Sequence, residues 1–255
     1  MIKFLRNFRQ TMIKENKVSK YLLYAIGEIV LVVIGILIAL QINNSNEARK
    51  TRATELNFLN NIKEDLQLNL TALDEFIQTR NDAITSCEIV LDYFEGKKEL
   101  DLDDFNYHSL NVMIWFPFHQ NDNTYQELLN SGQLSIISNK AIKDRLQNMQ
   151  TSYKTIAFVE NEMQQDFENY MYDPYFKTAD LNVNFENFNQ QLSKQHPTLR
   201  IDKDKINTLL QNILFKNGYV LSKYNSGLLI EEYTKMKETT IELMALIDEE
   251  LNELH

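Results

Sequence analysis

Residues Tyr21 to Ile42 read YLLYAIGEIVLVVIGILIALQI, 22 residues with a single charge, Glu28. As an α-helix this run is about 33 Å long, enough for a hydrocarbon core of about 30 Å. Few helices buried inside soluble proteins are apolar on every face over such a length. The run therefore reads as a transmembrane helix. It is too long for the apolar region of a cleaved signal peptide, and no small-x-small cleavage site follows it. A retained signal anchor is the expectation.

Charge sets the expected orientation. Residues 1–20 hold Lys3, Arg6, Arg9, Lys14, Lys17 and Lys20 against Glu15. The whole chain carries −10, so residues 43–255 carry −14. The basic flank is expected in the cytoplasm and the acidic bulk outside the inner membrane. Arg49, Lys50 and Arg52 weaken this asymmetry without reversing it. Met1, Phe4 or Leu5, Phe8 and Met12 fall on one helical face, so the tail either lies against anionic lipid or only orients the span. Tyr21 and Tyr24 sit where interfacial aromatics belong.

An ionised carboxylate at Glu28 costs at least about 2.5 kcal/mol, so it should be protonated, paired or near water. Its face continues through Leu31, Gly35, Ala39 and Ile42. Gly35-x-x-x-Ala39 is a small-xxx-small pair that permits close approach of another helix. Three readings stay open: helix packing, a tolerated polar residue near the headgroups, and proton or ion transport in an oligomer.

The stretch YAIGEIVLVVIGILIALQINN, residues 24–44, resembles the signature of an uncharacterised membrane-protein family of flavobacteria and their relatives, domain of unknown function 6090. A second stretch, Tyr125-Gln126-Glu127-Leu128-Leu129-Asn130-Ser131-Gly132-Gln133-Leu134 through Ile137-Ser138-Asn139, is also similar to it. The resemblance implies a basic N-terminus, one span and a helical domain of about 200 residues. It implies no catalytic residues. Ser45 departs from the pattern, where Trp is expected after Asn44.

Residues 43–255 are enough for a sizeable core. Hydrophobic residues make up 44% and charged residues 24%, which opposes wholesale disorder. Six Gly and three Pro are too few for an all-β fold rich in tight turns. Leu59, Ile62, Leu66, Leu70, Leu73, Ile77, Ile84, Cys87, Leu91 and Phe94 step by threes and fours, with one gap at Arg80. No Pro or Gly interrupts from Gly35 to Gly96, so the span either continues as a long helix or bends near Asn43 to Asn46.

The spacing predicts a long helix over about 46–95 ending at Gly96. One or two helices follow over 103–130, interrupted at Pro117. Thr124-Tyr125-Gln126-Glu127 has capping-box form and Gly132 suits a helix exit. A helix capped at Ser138 or Asn139 should run over 139–172 and stop at Pro174. Residues 174–201 read as a long irregular loop with room for one turn of helix, and such a loop can be functional. Helices over 202–217 and 219–254 complete the chain. The last presents Ile230, Tyr233, Met236 or Lys237, Ile241, Met244, Ile247, Leu251 and Leu254, and could pair antiparallel with the first. The predicted fold is all-α: a single N-terminal transmembrane helix and an extracytoplasmic helical bundle.

Chemical motifs are sparse. One cysteine excludes an internal disulfide framework, and Cys87 on the apolar stripe reads as a core residue. His108, His119, His196 and His255 stand apart from one another, and no H-E-x-x-H occurs. Glu160, Glu162, Asp166 and Glu168 read as solvated charge, with Glu162 and Asp166 the metal alternative. No G-x-S-x-G elbow or G-x-x-x-x-G-K-[ST] loop appears. Met113-Ile114-Trp115-Phe116-Pro117-Phe118-His119 is the densest aromatic patch. Trp115, Phe116, Phe118 and His119, with Tyr125, are candidate ligand or partner contacts or core packing around a Pro break. The −14 outer part disfavours nucleic acid. Expected partners are membrane lipid and a second copy or another membrane protein, with no cofactor. The leading expectation is a non-enzymatic membrane-anchored scaffold assembling through Glu28, Gly35 and Ala39. The rivals are a ligand-sensing subunit and a proton- or ion-coupled oligomer using Glu28.

Overall fold

The structure, a computed structural model, describes residues 18–252, with side-chain surroundings from Leu22 onward. The amphipathic reading of residues 1–12, the side chain of Tyr21 and the last apolar position, Leu254, lie outside them. Among the described residues there are helices and no strands. The chain divides into two compact units, one up to Asn57 and one from Phe58 onward.

Helix α1 runs from Val18 to Phe94 and is helical through Asn43–Asn46. It ends where its sequence says it should. Gly96 takes φ +67°, its N–H donates to the Tyr93 carbonyl, and the Lys97 N–H donates to the Asp92 carbonyl. This is the left-handed exit that glycine permits.

Helices α2 (Leu102–Met113) and α3 (Asn123–Asn130) resolve the predicted 103–130 region into two pieces. The nine residues Ile114–Asp122 between them are not helical, a longer break than Pro117 alone requires. Asp101 caps α2 by accepting from the Asp103 and Asp104 N–H groups. The predicted capping box at Thr124 does not form. The helix starts two residues earlier than a Thr124 cap implies, Thr124 is buried, and its N–H donates to the Asp65 carboxylate of α1 at 2.9 Å. A carboxylate from another helix does what the Thr124 hydroxyl was expected to do. Gly132 exits α3 at φ +69° as its position implied.

Helix α4 (Lys140–Asp166) is capped by Asn139, whose side-chain oxygen accepts from Ala141 and Ile142. The predicted stop at Pro174 is wrong. A wide π-turn over Phe167–Tyr172 leads directly into α5 (Asp173–Thr178), with Pro174 in its first turn. Proline lacks an N–H and its ring collides with the carbonyl four residues back. The π-turn removes that four-residue spacing, so the ring is accommodated.

The predicted irregular loop over 174–201 is also corrected. It holds α5 and the 12-residue α6 (Leu181–Leu192), capped by Asp180. Its asparagines look like loop residues but are bonded in the interior. Asn187 is 0% exposed, donates to the Leu199 carbonyl and accepts from the Leu199 N–H. Asn184 donates to the Tyr175 hydroxyl at 2.8 Å.

Helices α7 (Lys203–Leu210) and α8 (Ile213–Asn252) meet at Gln211 and Asn212, not at Gly218. Gly218 lies inside α8, where a Cβ would stand 2.3 Å from Met171 Cγ. Glycine here serves close packing against the π-turn. The inward face of α8 is Leu229, Tyr233, Met236, Thr240, Leu243 and Ile247, all buried, while the predicted Ile241 is half-exposed.

Three long helices make the core of the second unit. Helix α8 runs antiparallel to the outer half of α1, as ion pairs show: Lys63–Asp248, Asp74–Lys237, Glu88–Lys223 and, from the residue just past the end of α1, Glu95–Lys216. The intervals are 11, 14 and 7 residues on both helices. Helix α8 is antiparallel to α4 as well, through Asn139–Glu250, Arg145–Glu242 and Asn225–Asp166. Helix α2 folds back along α1. Ser86 Oγ lies 3.0 Å from His108 Nδ1 and accepts from Asn111, and Tyr93 donates to Asp104 at 2.7 Å. His108 therefore ties two helices and does not stand alone. Ser86 is 2% exposed, so the row it forms is a structural tie.

Candidate functional site

Each unit has a place that sets charged groups among apolar ones. In the first unit, Glu28, Gly35 and Ala39 are separated by seven and four residues and so share one face of α1. The apolar side chains around them are uncovered: Leu23 is 75% exposed and Leu31 72%. A Cβ placed on Gly35 meets nothing within 4 Å. Glu28 shares a shallow groove with Ala25, Ile29, Val32 and Val33. The helix is long and apolar enough to cross a membrane.

The second place is the strap Ile114–Asp122. Its backbone polar groups have left helical pairing and must be satisfied elsewhere. Asn69 of α1 accepts from the Asn121 N–H at 2.7 Å and donates to the Asn121 carbonyl at 2.8 Å. Tyr172 donates to the Met113 carbonyl at the strap's root. Phe118 N–H donates to Glu160 Oε1 at 2.8 Å. Tyr233 of α8 donates to the same oxygen at 2.6 Å. Glu160 is thus a core residue, 3% exposed, which corrects its reading as solvated charge. Of the other acidic residues on α4, Glu162 is exposed, and Asp166 accepts from Asn225 at 2.8 Å.

Arg80 of α1 fills the gap in the apolar stripe and is 2% exposed. Its Nη1 lies 3.6 Å from Met163 Sδ, and its Cζ stands 5.5 Å from the centre of the Trp115 ring. Burial pulls the guanidinium down from its ordinary range, opposed by Tyr233 and Glu160. Burial pushes the Glu160 carboxyl up, opposed by Tyr233, the Phe118 N–H, Arg80 and His119. Burial and then Glu160 hold the Tyr233 hydroxyl well above the usual phenol range. The three groups belong to three helices, and the strap closes over them.

The aromatic candidates separate on this frame. Phe118 is buried against Phe76, Tyr153 and Tyr233, with ring centres 5.5 to 6.3 Å apart. Trp115 is half-buried and meets Phe167 edge-on at 5.9 Å. Phe116 is 72% exposed and His119 is exposed. Tyr125 faces a different place, a small cavity lined by Ile62, Leu66, Asn69, Leu146 and Met149. Cys87 is fully buried and its thiol is pushed up to about 12 by burial. It is a core residue, far from the reactive thiolate range.

Arg80, Glu160 and Tyr233 were not among the sequence candidates. A signal existed: Ile142, Leu146, Met149, Ile156, Glu160, Met163 and Phe167 fall on one helical stripe, and all are buried. A charge standing in an apolar stripe on each of two helices marks a pair of buried ions.

Compared with known sequences, residues 28–191 match a protein family described as a family of unknown function, DUF6090. The chain belongs to DUF6090. The matched range takes in Glu28, Gly35, Ala39, Arg80, the strap and Glu160, and ends before the helix that carries Tyr233. No curated protein and no solved structure matches this DUF6090 chain.

Proposed function

We propose that this chain is a non-enzymatic, single-pass scaffold of the inner membrane. Its N-terminus is cytoplasmic, its helical bundle is extracytoplasmic, and it assembles through the face of Glu28, Gly35 and Ala39. The observation that supports this reading is the uncovered apolar surface of α1 between Leu22 and Ile42. That surface requires lipid or another helix around it. Within lipid, apolar burial no longer drives helices together, and close approach at small residues does. Gly35 has the room that such approach needs.

The test is crosslinking of the full-length chain in native membranes. Gly35→Leu with Ala39→Leu should weaken self-crosslinks or the crosslinks to a partner membrane protein. Association unchanged in the double variant removes the span as the interface. Orientation is checked by protease added to intact spheroplasts, which should cut the bundle. Protection of the bundle with exposure of the N-terminus reverses the proposed topology.

A further inference from the structure

Arg80 is buried to 2% exposure, yet two of its three guanidinium nitrogens are poorly served. Nη1 is occupied by Met163 Sδ, whereas Nε and Nη2 make no well-aligned hydrogen bond, with the Tyr233 hydroxyl beside the guanidinium. These two nitrogens form one edge of the planar guanidinium. Their N–H bonds run parallel, at the separation of the two oxygens of a carboxylate. A buried cationic donor without an acceptor is costly, so a whole edge left open in a core marks a place for an acceptor. Glu160 does not fill it: it makes no hydrogen bond to Arg80, and its Oε1 accepts from the Phe118 N–H and the Tyr233 hydroxyl. The cover here includes the non-helical strap, with Trp115 against Arg80 and Phe116 exposed beside it. The strap has no helical pairing of its own, so its Trp115–Phe116 end can lift while Phe118 stays anchored in the core.

We propose that the strap covers a binding site for a small monocarboxylate with an apolar body. The Nε–Nη2 edge of Arg80 takes both carboxylate oxygens, and Trp115 shields the apolar part. The site goes beyond the scaffold reading and does not depend on how the span assembles. Arg80 and Glu160 already balance one another, so a second anion favours the protonated form of Glu160. The groups that face Glu160 are Arg80 from α1, Tyr233 from α8, Tyr153 on α4 and His119 from the strap. Binding therefore tightens as pH falls toward the ordinary carboxyl range, below which the ligand itself is protonated.

Trp115 is the chain's single tryptophan, so fluorescence excited at a wavelength that the twelve tyrosines do not absorb reads this site alone. The full-length protein in detergent is titrated with sodium acetate, sodium phenylacetate and inorganic phosphate, with sodium chloride matched for ionic strength. The expected result is a saturable change with both carboxylates, tighter for phenylacetate. Arg80→Lys keeps the charge and loses the fork, and should weaken binding by at least about tenfold. Glu160→Gln removes the competing negative charge and should tighten it several-fold, with far-UV circular dichroism confirming the helical fold of each variant. A change that follows chloride, saturation by phosphate alone, or binding that Arg80→Lys leaves intact overturns the proposal. If Arg80→Lys does not fold, Glu160→Gln decides, and unchanged or weaker binding in it overturns the proposal.

Discussion

One helix, α1, lives in two settings. From Leu22 to Ile42 its apolar side chains lie open on all faces, whereas from Leu59 onward they form a stripe that α2, α4 and α8 cover. Leu31 and Leu59 are the same side chain on the same helix, 72% and 0% exposed. The difference is the pattern around them. All-round apolarity leaves no polar face to turn toward water, so its solvent must be lipid or protein. A stripe needs only a neighbour on one side. The charges follow the same division. Glu28 stands among uncovered apolar side chains, whereas Arg80 and Glu160 stand inside a core, with Glu160 bonded by the Phe118 N–H and the Tyr233 hydroxyl.

The sharpest way to separate the settings is Glu160→Ala. It leaves the Phe118 N–H and the Tyr233 hydroxyl without their acceptor and the Arg80 charge without the carboxylate that offsets it. The expected loss is about 3–5 kcal/mol of bundle stability in chemical denaturation followed by Trp115 fluorescence. Crosslinking through the span should persist under native conditions. A stability loss below about 1 kcal/mol would show that the network is not closed as described.

A pair of glycines sharpens the comparison further. Gly218→Ala drives a Cβ into Met171 and should cost about 1–3 kcal/mol. Gly35→Ala meets nothing within the protomer and should leave the denaturation midpoint of the bundle where it was. Equal effects at the two positions would erase the distinction drawn here.

The pH dependence is smaller and has a definite sign. Burial raises the Glu160 carboxyl above its ordinary value of 4.5, so the folded chain keeps this proton where the unfolded chain has lost it. Its contribution is fully present below pH 4.5 and declines as pH rises through the raised value. The stability of wild type relative to Glu160→Gln should therefore fall as pH rises from there, no more steeply than about 1.4 kcal/mol per pH unit. A flat difference across that range would remove Glu160 as the cause. The smallest effect is expected at Lys194, which exits α6 at φ +59°. Lys194→Gly should stabilise by up to about 1 kcal/mol, read as a raised denaturation midpoint.

Local chemistry was legible in the sequence where it acts alone. The ends at Gly96 and Gly132 and the cap at Asn139 depend on one residue's own geometry, and each appears where it was expected. Features that depend on a distant partner were not legible. Pro174 continues a helix because of the π-turn, which packs against Gly218 some forty positions later. Thr124 yields its capping role to Asp65, 59 residues away. The asparagines of α6 resemble a loop until Leu199 returns to bond Asn187. The candidate site was half visible. The aromatic strap stood out in composition, and the ions beneath it were hidden by the habit of reading charge as surface.

The four ion pairs between α1 and α8 are mostly exposed, and each contributes at most about 1 kcal/mol. Their spacing matters more than their strength. The steps of 11, 14 and 7 residues are unequal, and no two separations within the set coincide. Sliding one helix along the other by any amount therefore restores at most one of the four pairs. An uneven ruler of charges admits one alignment and disfavours every slipped one, a contribution to specificity that needs spacing more than strength.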